Sequence, residues 1–141
     1  MIRASRVQQR LHQAVNLAEI LDAAYGAFAA MLSLIRGYQE SGSPFYAALV
    51  MAAAVAVDGR DAVNGSPSLP LSSGNDKLEE PVVTCADPIE VATGLAALSE
   101  ALASRLRAVA AMAANADDRQ ACEDGARYAD EIHALATGKG P

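Results

Sequence analysis

From Ala47 to Val57 the chain runs eleven residues without one polar side chain, and Pro44, Phe45 and Tyr46 lengthen the uncharged stretch to fourteen. Alanine dominates it, and alanine costs least in a helix because it loses no side-chain entropy. A helix apolar on every side has no face to offer water and must be enclosed on every side. Whatever this chain folds into is therefore expected to surround residues 45–57.

The preceding segment carries more apolar surface than one helix contact needs. Val7, Leu11, Ala14, Ala18, Leu21, Tyr25, Phe28, Leu32 and Ile35 follow one another at steps of four and three. Beside that seam runs a second: Leu17, Ile20, Ala24, Ala27, Met31, Leu34 and Tyr38. The periodicity predicts one helix over 3–38, roughly 50 Å long at 1.5 Å per residue. Its reverse face is polar at first (Gln9, His12, Gln13, Asn16, Glu19) and then small (Ala23, Gly26, Ala30, Ser33).

Turn and cap chemistry sets the remaining boundaries. Ser41-Gly42-Ser43-Pro44 predicts a turn, with Ser43 as N-cap and Pro44 in the first helical position of a helix over 44–63 that stops at Gly65. Residues 65–86 hold three prolines and two glycines and read as a long loop. Asp87-Pro88-Ile89-Glu90 opens a helix over 88–114, since Asp can cap and proline at that position loses no hydrogen bond. Asn115 ends it, and Asp117-Asp118 supply the acidic first turn of a helix over 117–136, with one unbroken helix over 88–136 as the alternative. The expected fold is all-α: a single domain, 1–141, built as a four-helix bundle of two antiparallel hairpins joined by the Pro/Gly/Ser-rich loop.

Several chemistries are disfavoured on composition. Of 141 residues, 32 are alanine, 17 are acidic and 11 basic, for a formal net charge of −6. That balance argues against a nucleic-acid surface, which needs a concentrated cationic face; the N-terminal Arg3, Arg6 and Arg10 read as a solvated stripe. Uncharged apolar runs of 13 (Ala23–Ile35) and 14 residues (Pro44–Val57) fall short of the roughly 20 that span a bilayer. No membrane association and a cytoplasmic location with reduced Cys85 and Cys122 are the expectation. A carboxylate-bridged metal site needs acids on all four helices, whereas this chain offers Glu19, Glu100 and an Asp130-x-x-His133 pair. His133-Ala134-Leu135 resembles the phospho-accepting helix of histidine phosphotransfer domains, but Ala136 and Thr137 stand where that pattern has Lys and Gly. Cys85 precedes a helix N-terminus, where a thiol can be activated, with no base beside it in sequence. No catalytic residue, metal or cofactor is therefore expected.

Five of the six aromatic residues fall between positions 25 and 46. Tyr25, Phe28, Tyr38, Phe45 and Tyr46, with the small residues Gly26 and Ala30, are the candidate interface or ligand residues, because aromatics supply much of the contact energy at interfaces. The excess apolar surface predicts a non-enzymatic interaction or assembly module, homodimeric through the first hairpin and open to a protein partner; cover of that surface by the 65–86 loop or the third helix of the same chain is the competing explanation. A small-molecule binder with an apolar pocket near the aromatic hairpin is the alternative, and an enzyme or metal site using Asp130/His133 or Cys85 the second.

Overall fold

A computed structural model of the chain describes residues 2–70 and 87–138, with side chains from Arg6 onward. The described residues form five helices and no strand: α1 (Ile2–Gln13), α2 (Leu17–Glu40), α3 (Ala47–Asn64), α4 (Pro88–Ala110) and α5 (Ala116–Ala136). The all-α expectation holds, and the expectation of four helices is corrected to five.

The correction lies at residues 14–16. The expected helix over 3–38 breaks there because Asn16 caps the Glu19 N–H while the Glu19 carboxylate reaches back to the Asn16 side chain and the Val15 N–H. Asn16 Oδ1 accepts the Glu19 N–H at 2.9 Å, Asn16 Nδ2 donates to the Glu19 carboxylate at 3.0 Å, and the Val15 N–H reaches the same carboxylate at 3.4 Å. Two free donors at a helix start are satisfied this way, which a continuous helix would forgo. α1 then folds back along α2, bringing Arg10 to 3.8 Å from Asp22. Arg105 on α4 fixes the end of α1: its Nε donates to the Leu11 carbonyl at 3.1 Å and its Nη2 to the Ala14 carbonyl. Carbonyls in the last turn of a helix have no intrahelical partner, so a guanidinium is well placed there.

α2 is the central element. It packs on α1, α3 and α4, while α5 packs on α3 and α4, and α1 also leans on α4. Both apolar seams of α2 find cover, and Phe28, Met31 and Ile35 are fully buried with Leu95, Leu98, Leu102, Leu106 and Ile132. By length and composition α2 could cross a membrane, yet 61% of its most apolar window is buried against the other helices.

α3 begins at Ala47, three residues after the expected start, with Tyr46 as N-cap. Ser43 does not cap: the Ser41 and Ser43 hydroxyls are 2.6 Å apart, and Ser41 Oγ donates to the Tyr38 carbonyl at 2.5 Å. Gly42 makes the turn possible with φ of 77°, a backbone conformation that other residues reach only with strain. The Tyr38 hydroxyl ties the elbow shut by donating to the Pro44 carbonyl at 2.8 Å.

α4 starts at Pro88 as expected, with Asp87 Oδ1 accepting the Ile89 N–H at 2.9 Å. It ends at Ala110, short of the expected 114. Asn115 caps α5 by accepting the N–H groups of Asp117 and Asp118 at 2.7 and 3.3 Å. Of the expected loop 65–86, residues 71–86, including Cys85, lie outside the described residues.

Candidate interaction surface

α3 buries one stripe only: Leu49, Ala52, Ala56, Gly59 and Val63. These alternate at three and four residues and face α2 and α5, its two packing neighbours. The approach is close enough that a β-carbon on Gly59 would stand 2.4 Å from Cε1 of Phe28. The opposite flank is only partly covered by the described residues. Phe45 is 79% exposed, Met51 51%, Tyr46 50%, Val50 39% and Val57 37%. Ala47 and Ala54 are exposed in the same row, which ends in the exposed Asp58 and Asp61.

Among the described residues of one chain, residues 45–57 are thus not enclosed on every side, contrary to the expectation. The helix with the most uniformly apolar sequence is among the least buried, and α2 holds the centre instead. The reason is volume. Alanine and valine side chains project little, so two neighbours fill the inner stripe of α3, while the larger side chains of α2 need three.

At the α2–α3 elbow the same flank opens into a pocket of about 240 Å³ lined by Tyr38, Gln39, Ser43, Pro44, Phe45, Tyr46, Leu49 and Val50. Pockets for drug-sized ligands run from about 300 Å³ upward, so this one fits a side chain or a small fragment. The candidate residues divide accordingly. Phe45 and Tyr46 stand on the exposed flank, and Tyr38 forms the pocket wall with its ring buried. Phe28 and Ala30 lie in the interior and offer no surface, and Tyr25 is half-buried. Gly26 is also partly covered: the nearest neighbour of a β-carbon there would be Arg10 of α1, at 3.9 Å. The back-folded α1 thus lies beside the small-residue stripe that the sequence made available to a partner helix.

The alternative chemistry has its own geometry. Asp130 is held by Arg107, whose Nη1 is 3.3 Å from Oδ1 and whose Nη2 pairs with Oδ2. His133 Nε2 lies 4.0 Å from Glu100. These four side chains line an open groove between α4 and α5 of about 470 Å³, with Ala103 and Ser104. Among the described residues no three His, Cys, Asp or Glu side chains converge. Cys122 is buried; that burial, with the charges of Asp118 and Glu123, pushes its pKa up to about 11. A thiol so protonated is a poor nucleophile at neutral pH.

A polar cluster missed in the sequence sits at the start of α5. Asp118, 3% exposed, accepts from Ser66 Oγ at 2.5 Å, Ser68 N–H at 3.1 Å and Ser68 Oγ at 2.6 Å. Burial alone would raise the Asp118 pKa, and the bonds from Ser66 and Ser68 outweigh it and hold the group below the usual carboxylate value. The cluster fastens the chain leaving α3 onto α5. The Ser66-x-Ser68 spacing was visible, but its partner lies fifty residues away.

Compared with known protein families, with curated proteins and with solved structures, the chain matches none.

Proposed function

We propose that this protein is a non-enzymatic helical interaction module that assembles as a homodimer through its first hairpin, with the outer flank of α3 as the contact. One observation carries the reading: among the described residues, an apolar row from Phe45 to Val57 remains exposed. A contiguous apolar patch of this kind on a soluble helix marks a binding surface. Its occupant is itself apolar. A negatively charged lipid surface is a poor fit, because the row ends in Asp58 and Asp61 and α3 has no basic residue in its last turn.

The five large side chains of the row expose on the order of 500 Å² per chain. Pairing two copies would bury roughly 1,000 Å², the lower limit for a specific interface, which points to a reversible dimer. The test is Met51→Glu, placed in the middle of the row at a position half exposed in its own chain. Light scattering on the eluting protein should show dimer for the parent and monomer for the variant, with helical circular dichroism unchanged. Equal masses for the two would overturn the reading.

The elbow pocket supports a second reading, a binder of small apolar ligands near Tyr38 and Tyr46. Native mass spectrometry of the purified chain would then show a bound molecule that Tyr46→Ala loses.

A further inference from the structure

The outer flank of α3 is asymmetric along its length, apolar toward its start and acidic toward its end. Viewed along the helix, it carries Tyr46, Ala47, Val50, Met51, Ala54, Val57 and Asp58. We infer that two copies pair α3 against α3 antiparallel, with the two-fold axis at the level of Ala52. This rests on the homodimer proposed above and specifies its direction and register.

Two features select that arrangement. The first is size. About an axis at Ala52, Val50 faces the partner's Ala54 and Ala47 faces the partner's Val57, so each larger side chain meets a small one. Alternation of this kind lets two helices interdigitate without voids. A parallel pair in register would instead set Val50 against the partner's Val50 and Ala54 against the partner's Ala54, overfilled at one level and empty at the next.

The second is charge. α3 has no acid in its first turn and no side-chain cap on its N-terminal N–H groups, and no base in its last turn. Both ends of its dipole are left uncompensated. Asp58 and Asp61 are exposed near the negative end, and no ion pair among the described residues involves either one. Antiparallel pairing carries those two carboxylates onto the partner's positive helix start. Parallel pairing stacks them on the partner's Asp58 and the partner's Asp61.

Two measurements on the full chain test the direction. Val50→Cys and Ala54→Cys chains, each also carrying Cys85→Ser, are mixed and treated with a short bis-maleimide. The mixture should give the covalent dimer efficiently, and Val50→Cys alone should not. Separately, Asp58→Asn/Asp61→Asn should weaken the dimer by about two- to five-fold, because an attraction to the helix start is lost. A dimer that cross-links Val50→Cys to itself, or that tightens when the two acids are neutralised, is parallel. It would overturn the register while leaving the homodimer intact. A chain that stays monomeric in every sample would overturn both.

Discussion

Gly59 lies against the ring of Phe28 so closely that any side chain there collides with it: an added β-carbon would be 2.4 Å from Cε1 and 2.5 Å from Cζ. The ring is fully buried and cannot swing out. Gly59→Ala should therefore lower stability by about 1–3 kcal/mol, although alanine in a helix is intrinsically better than glycine by about 1 kcal/mol. Gly26→Ala is the control. Its nearest neighbour would be the end of the Arg10 side chain at 3.9 Å, so the substitution should be neutral or stabilising by up to about 1 kcal/mol. Urea denaturation of both variants checks the pair, and Phe28→Leu should recover part of the Gly59→Ala loss.

Asp118 makes stability depend on acidity. Its folded-state pKa lies below the ordinary value, so the unfolded chain takes up the proton first. The stability it contributes is present above the unfolded pKa, about 3.9 for Asp, and is lost as pH falls through the lower folded value. Asp118→Asn should cost about 1–3 kcal/mol at pH 7, where one hydroxyl or N–H loses its acceptor. That gap should narrow as pH drops below about 4. Thermal melting of the two chains from pH 7 to pH 3 reads both effects; parallel profiles would contradict the assignment.

Arg105 is the only described side chain that hydrogen-bonds the end of α1 to α4. Arg105→Ala should release α1 before the rest of the fold. Amide exchange in residues 2–13 should quicken, corresponding to a loss of about 1–3 kcal/mol in local protection, while α2, α4 and α5 keep theirs.

Much of the fold was legible in local chemistry. The starts of α4 and α5 follow from Asp87-Pro88 and Asn115, whose caps act within three residues of themselves. The break before α2 was equally local, since Asn16 and Glu19 stand three apart, but the apolar seam passes through residues 14–18 in phase and hides it. Position in the fold was another matter. The row from Phe45 to Val57 reads as the most deeply enclosed segment because hydropathy counts apolar side chains and not the neighbours available to cover them. Which helix takes the centre depends on the summed volume of facing stripes, and there Phe28, Met31 and Leu34 of α2 outweigh the alanines of α3. Likewise, no spacing rule joins Ser66 to Asp118, because that bond exists only once α3 and α5 have packed.

Sedimentation equilibrium of the unmodified chain tests the account at its centre, the enclosure of the outer α3 flank by a second copy. The average mass should climb from 14.5 kDa toward twice that value as concentration rises, with a midpoint on the order of 1–100 micromolar for an interface this small. A mass fixed at 14.5 kDa across that whole range would contradict it.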